Sequence, residues 1–271
     1  MLDSSTHREL PGETEVLLRS DDGGITTLTL NRPSKFNALS VQLLSALEDQ
    51  LARIGEDRSI RAVILAGAGK AFCTGHDLKE MRDNPGKQAV QALFQQCSRV
   101  MLAMTRIPQP VIARVHGVAT AAGCQLVATC DLAAAAEDAR FAVSGVNLGL
   151  FCSTPMVALS RNLPRKQSME MLLTGSFIDA QAALRYGLVN RVVPQDRLET
   201  ATADLAEAVA SKSPAAIAFG KQLFYRQLEV SLEAAYELAS ETMTCNMMTE
   251  DAQAGIDAFI AKQAAPEWKG R

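Results

Sequence analysis

Two junctions constrain the fold of this 271-residue chain more than any other feature. At each, a short apolar run passes through a turn of small residues straight into a helical pattern. The first leads from Val63-Ile64-Leu65 through Ala66-Gly67-Ala68-Gly69-Lys70-Ala71 to Phe72-Cys73-Thr74-Gly75-His76-Asp77-Leu78-Lys79-Glu80. The second leads from Val111-Ile112-Ala113 to Ala119-Thr120-Ala121-Ala122-Gly123-Cys124-Gln125. Buried strands alternating with helices define an α/β chain. Each junction also leaves the first N–H groups of a helix without partners inside the chain. Two such turns facing each other hold a pair of donors toward an anionic oxygen, which is what an oxyanion hole requires. The expected chemistry is that of a carbonyl or thioester that becomes enolate-like.

The rest of the chain extends this pattern. Thr14 to Arg19 and Ile25 to Leu30 read as two strands of a hairpin around Asp21-Asp22-Gly23-Gly24. Leu43, Leu44, Leu47, Leu51 and Ile54 recur at helical spacing after Ser40. Arg61 to Ala66 reads as a buried strand. Asp77 with Glu80 three residues on predicts an N-cap and its capping-box partner. A long helix is expected over Ala89 to Met104, ending before Pro108, and further strands over Val111 to Val115 and Asp131 to Ala135. The loose recurrence of strand, turn, strand and helix every forty to fifty residues or so predicts a spiral of ββα units rather than one wound sheet. After Val193-Pro194 only helices are expected, over Leu198–Ser211, Pro214–Gln227, Leu232–Met248 and Ala252–Lys262. Residues 1–195 are thus expected to form the spiral core and 196–271 a helical C-terminal region. Met243, Met247 and Met248, with Leu238 and Phe259, give that region more apolar surface than a solvated tail needs.

Bulk properties exclude several classes. A 48% hydrophobic chain of this length buries roughly 75% of its unfolded surface on folding. The net charge of −3 and pI near 5.7 give no basic field for nucleic acid or a membrane surface, although local cations still suit a phosphorylated ligand. The six cysteines (Cys73, Cys97, Cys124, Cys130, Cys152 and Cys245) form no C-x-x-C pair and read as reduced thiols. Met1 to Glu9 shows no import signal and no apolar run approaches spanning length, so a cytoplasmic location is expected. Gly67-Ala68-Gly69-Lys70-Ala71 fails as a phosphate loop, with Ile64 at the opening glycine position and Ala71 at the Ser/Thr position. It fails as a dinucleotide fingerprint as well, with Phe72 in place of the third glycine. His7, His76 and His116 lie far apart in the sequence, and no metal is expected.

Further segments complete a resemblance: Asn31-Arg32-Pro33, Asn37-Ala38-Leu39, Cys130-Asp131, Leu172-Leu173-Thr174-Gly175, Ala180-Gln181-Ala182-Ala183, Gly187-Leu188-Val189-Asn190 and Val192-Val193-Pro194. With the two junctions, they resemble the enoyl-CoA hydratase/isomerase (crotonase) superfamily, in order and spacing, from about Val16 to Phe259. Gly75-His76-Asp77 and Ala119 to Gln125 look most like its branch of enoyl-CoA hydratase domain-containing proteins. The resemblance implies the crotonase (ClpP-like) fold, an acyl-CoA thioester as substrate, and coenzyme A present only as part of that substrate. It implies an oxyanion hole made by the backbone N–H groups of His76 and Ala122, where the family commonly has glycine at Ala122. It implies CoA contacts at Lys35, along His76, Asp77, Leu78 and Lys79, and from Phe259 and Lys262 of an adjacent subunit. The helical end is then expected to assemble a homotrimer or a dimer of trimers.

Departures from the family bear on the reaction. The two glutamates that move protons in enoyl-CoA hydration fall at Gln125 and Gly145, and a third carboxylate position used by some relatives falls at Ser153. General acid–base help is worth roughly 10²–10⁴ per group, so the usual hydratase mechanism does not follow, and Gln125 is left to orient water or substrate. An imidazole at His76, where the family carries a small residue, is a further departure: it donates a proton, bonds a substrate oxygen or merely caps the helix. Nearby replacements are His116, Cys124, Ser144, Asn147, Cys152 and Ser153. Cys124 reads either as a thiol activated by a helix N-terminus or as a small buried hydrophobe. A triad of Ser144 or Ser153 with His116 and Asp131 has no supporting spacing and no nucleophile elbow. Isomerisation, decarboxylation, thioester hydrolysis and silent acyl-CoA binding remain alternatives.

Overall fold

The computed structural model describes residues 15–271. The hairpin joins β1 (Leu17–Asp22) to β2 (Ile25–Leu30), with Leu17 opposite Leu30 and Asp22 opposite Ile25. The first strand thus starts and ends later than the apolar pattern suggests. Gly23 and Gly24 both take positive φ, 55° and 82°, the conformation of a two-residue turn that matches strand twist, so pairing runs on to Asp22. Thr14 and the segment Met1 to Glu9 lie outside the described residues.

Then follow α1 (Val41–Glu56), β3 (Ala62–Gly67), α2 (Leu78–Asp83), α3 (Lys87–Arg106), β4 (Val111–Val115), β5 (Val118–Thr120) and α4 (Ala122–Thr129). After them come β6 (Leu132–Ala136), β7 (Arg140–Ala142), α5 (Ser153–Asn162), α6 (Arg165–Thr174), β8 (Ile178–Asp179), α7 (Ala180–Tyr186) and β9 (Arg191–Val193). The chain ends in α8 (Leu198–Ala210), α9 (Pro214–Gln227), α10 (Leu232–Met247) and α11 (Glu250–Ile260). One sheet has the order β1-β2-β3-β4-β6-β9, parallel except for the β1–β2 hairpin. A smaller sheet, β5-β7-β8, gathers the second strands of the repeats. The β3 unit contributes only a bridge there: the Cys73 amide donates to Val118 O, and the Thr120 amide to Cys73 O. This is the ββα spiral, with one repeat reduced to a single bridge.

The alternation of side chains along each strand explains the layers. Val63, Leu65, Val111, Ala113, Ala133 and Ala135 join the main core with Leu43, Leu44, Leu47, Leu51 and Ile54 of α1. On the opposite face Ala62, Ile64 and Ile112 pack with Ala206 of α8, and Ala134 and Ala136 with Leu198. Helix α8 therefore closes the core, and the change of character in the sequence after Pro194 marks where strands end rather than where the core ends. Helix α9 is also anchored. Lys221 Nζ donates to the carbonyls of Met104 at 2.7 Å and Gln109 at 2.8 Å, and pairs with Asp131 at 2.7 Å. Helices α10 and α11 pack on α9, where Ser213 Oγ donates to the buried Asp251 of α11 at 2.6 Å, and leave Leu232, Tyr236, Met243, Met248, Phe259 and Ile260 exposed.

Candidate active site

Asn37 fixes the first turn. Its side-chain NH₂ donates to the carbonyls of Ala68 and Ala71 at 2.8 and 2.7 Å, while its carbonyl oxygen accepts from the Arg32 amide at 2.9 Å. Beyond it, the Leu39 amide donates to Gly75 O and Leu39 O accepts from the Asp77 amide. In such a parallel bridge the intervening residue points its own N–H the other way, so the His76 amide faces outward. Asp77 caps α2 by accepting from the Lys79 and Glu80 amides and pairs with Arg32 at 2.9 Å. Burial pushes its pKa up, but the guanidinium and the two amides outweigh that and hold the carboxyl below its usual value. The capping box expected with Glu80 does not close. Glu80 turns to α1 and accepts from the Val41 amide at 3.0 Å, tying two helices together instead.

The second turn sits directly against the first. A Cβ added at Gly75 (φ 89°) would stand 2.9 Å from Ala121 Cβ and 3.2 Å from the Ala122 nitrogen. Ala121, just before α4, is held at φ 49°, ψ −120°, a region almost reserved for glycine. Its amide is bonded to Ala142 O at 2.9 Å, which locks the strained turn and leaves Ala122 as the first residue of α4. Among the described residues neither the His76 nor the Ala122 amide donates to a backbone carbonyl.

Both turns line a cavity of about 690 Å³. Phe36, Ala38, Met81, Phe94, Leu148, Leu150, Phe151 and Pro155 give it apolar walls. Of the residues singled out in the sequence, Lys35, His76, Asp77, Leu78, Ala122, Gly145 and Ser153 line this space, as do Ser144 and Cys152. Lys79 and Gln125 do not. Gln125 is 4% exposed, and its Oε1 is buried with no partner among the described residues. Phe259 lies in a separate surface groove with Ile256 and Trp268, and Lys262 follows the end of α11.

Three points raised by the sequence resolve at close range. Gly145 cannot simply be refilled with a carboxylate, because an added Cβ would meet Leu150 O at 2.5 Å and Cys152 Sγ at 2.8 Å. Cys124 is fully buried and its thiol is pushed up to about 12 by desolvation, so it is a small hydrophobe and not a nucleophile. The Ser–His–Asp arrangement does not form. His116 Nε2 bonds Gly69 O at 2.9 Å, and Asp131 is taken by the Val111 amide, Tyr225 and Lys221. Sequence reasoning missed Asn37 as the clamp of the first turn and Cys152 as the occupant of the space beside Gly145. Phe36 and Asn37 both take positive φ, 49° and 55°, which asparagine tolerates and which Phe36 does not signal in the residue order.

His76 is the unusual group. Desolvation pushes its imidazole down to about 4, so the ring is neutral near pH 7. It packs edge-to-face on Phe94, with centroids 5.3 Å apart and planes at 85°. Among the described residues there is no group of three or more His, Cys, Asp or Glu side chains arranged to hold a metal ion.

Comparison with known proteins fits this geometry. The family model described as enoyl-CoA hydratase/isomerase matches residues 20–271. Mouse (Mus musculus) enoyl-CoA hydratase domain-containing protein 3, mitochondrial, is 46% identical over 245 residues, 90% of this chain and 81% of that protein. An enoyl-CoA hydratase structure from Mycobacterium smegmatis superposes with a TM-score of 0.92 at 56% identity, over 94% of this chain and 99% of that one. The structure of human enoyl Coenzyme A hydratase domain-containing protein 3 gives 0.90 at 42% identity, over 93% and 100%. With its spiral core, its paired donor turns and a match over nearly its whole length, this chain belongs to the enoyl-CoA hydratase/isomerase family.

Proposed function

We propose that the protein binds acyl-CoA thioesters and stabilises their enolates on the His76 and Ala122 amides. The observation that carries this reading is the pair of amides on touching turns, without partners among the described residues and set in the wall of an apolar cavity. Removing one such donor typically costs about 2.7–4 kcal/mol of transition-state stabilisation. The apolar walls suit an acyl group, and Lys35 at the cavity suits the phosphates of the nucleotide end. Leu78 and Asp77, with Lys79 beside them, suit the pantetheine and adenine. Coenzyme A enters as part of the substrate, and no permanently bound cofactor is invoked. The free thiols fit a reducing compartment such as the cytoplasm.

Hydration of an enoyl thioester is the reaction this reading favours, at a rate below that of a relative with both glutamates. Asp77, the one carboxylate lining the cavity among the described residues, is committed to Arg32 and the α2 amides. That commitment also favours a second reading, an acyl-CoA binder without proton chemistry. Calorimetry with acyl-CoAs of several chain lengths, beside turnover of crotonyl-CoA, tests the proposal. Binding with slow hydration is the expected result. No heat with any chain length at millimolar ligand rejects the acyl-CoA reading.

We also propose assembly into a homotrimer or dimer of trimers through α10 and α11, with Phe259 and Lys262 reaching the CoA held by a neighbouring copy.

A further inference from the structure

One ionisable ring in the cavity wall is used neither by the oxyanion hole nor by the CoA contacts. His76 gives its amide to the hole, and its imidazole lines the same cavity. Nε2 is sealed from solvent with no hydrogen-bond partner among the described residues. The ring packs edge-to-face with Phe94. Nδ1, unlike Nε2, is not sealed, so a tautomer with the proton on Nε2 leaves a lone pair on the open nitrogen. Three other groups of the cavity wall are occupied. Asp77 is paired with Arg32, Cys152 Sγ accepts from the Gly145 amide at 3.3 Å, and Ser153 Oγ donates to Phe151 O.

We propose that His76 is a catalytic acid–base residue, its Nδ1 carrying the proton exchanged with the α-carbon of an acyl thioester whose carbonyl oxygen rests on the His76 and Ala122 amides. The inference rests on the acyl-CoA reading above. In the hydration direction, water oxygen bonds to the β-carbon while one water proton passes to Nδ1. The electron pair of the double bond moves through the α-carbon onto the thioester oxygen. The Nδ1 proton then passes to the α-carbon, the carbonyl re-forms, and the ring is neutral again. Water has added across the double bond, and a single ring has served as base and then as acid. With the ring held at about 4 by burial, its proton affinity is near that of a free carboxylate, the group this site lacks.

The test is exchange of α-protons of butyryl-CoA in D₂O, read by mass spectrometry at saturating ligand. Wild type, His76→Ala and His76→Gln are compared, with calorimetric binding of butyryl-CoA measured for each. The glutamine variant keeps a polar side chain of similar volume and guards against misfolding. Wild type is expected to exchange, both variants to fall by about 100-fold or more, and added imidazole to restore part of the rate in His76→Ala. Exchange at the wild-type rate in either folded variant overturns the proposal, even if its binding is weaker. Wild type that binds butyryl-CoA without exchanging also overturns it and leaves the silent-binder reading standing. Wild type that does not bind overturns the acyl-CoA reading, and this inference with it.

Discussion

At Gly145 the sequence invites a repair that the packing forbids. Replacing Gln125 and Gly145 by glutamate would restore the family's two carboxylates on paper. The new Cβ at 145 would lie 2.5 Å from the Leu150 carbonyl, which belongs to backbone and cannot swing away. Overpacking of this kind costs about 1–3 kcal/mol. Gln125→Glu would in addition put a charge at a 4% exposed position where the present amide oxygen has no partner among the described residues. The double variant is therefore expected to melt at a lower temperature and to gain no crotonyl-CoA hydration. A melting temperature at or above wild type, with faster hydration, would show that the 144–152 loop yields. Ala121 makes the converse case, because its φ of 49° and ψ of −120° suit glycine. Ala121→Gly should gain up to about 1 kcal/mol in urea unfolding as strain is released, without loss of acyl-CoA binding. His76 sets a pH signature of its own. Its folded pKa, near 4, lies below the ordinary value of 6.5. Between those values the unfolded chain binds more protons, so stability falls as pH drops from 6.5 toward 4 and is flat above 6.5. Asp77, whose pKa is lowered, adds to the loss only at the acid end. Urea unfolding at pH 7 and 4.5 should show a smaller difference for His76→Gln than for wild type.

At the scale of elements, the buried cation of α9 decides whether the C-terminal region stays on the core. Lys221 satisfies two carbonyls and the Asp131 carboxylate, although burial pulls its pKa down. Lys221→Met removes all three contacts and leaves Asp131 with the Val111 amide and the Tyr225 hydroxyl. Breaking one partner of a buried pair costs about 3–5 kcal/mol, so thermal unfolding should shift strongly. A loss below about 1 kcal/mol would show that the other contacts, among them Arg61 with Lys212 O and Trp268 with Ser211 O, suffice to hold this region. The same elements show what a residue order conveys. The α1 stripe Leu43, Leu44, Leu47, Leu51 and Ile54 was legible because the helical period dictates it, and every member is buried. The two strand-to-helix junctions were legible because an apolar run, a stretch of small residues and a helical pattern follow one another at each. Lys221 was not, since its partners are carbonyls more than a hundred residues away in the chain. Nor was the sealed side chain of Gln125, because α4 is buried on every side and its sequence carries no stripe to tell cavity from core.

At the scale of the whole molecule, α10 and α11 carry one concentration of exposed apolar side chains. Helix α10 buries no residue fully in the single chain, while Leu232 is 74% exposed and Tyr236 69%. On α11, Phe259 is 83% exposed and Ile260 72%. Isolated apolar residues on a surface need no explanation, but a set shared by two neighbouring helices marks an interaction surface. Light scattering at micromolar protein should give a trimer or hexamer, and Tyr236→Glu with Met243→Glu should shift it toward monomer. Assembly has a consequence for the ligand as well. Phe259 does not line the cavity of its own chain, so within one copy its removal should leave acyl-CoA affinity unchanged. If a neighbour's α11 completes the site, Phe259→Ala should weaken acyl-CoA binding by about tenfold, the equivalent of 1.4 kcal/mol, while the assembly persists. The Tyr236→Glu, Met243→Glu variant should show a comparable loss, and adding Phe259→Ala to it should change binding no further. Phe259→Ala that binds as tightly as wild type in an intact trimer would separate assembly from ligand binding and confine the site to one chain.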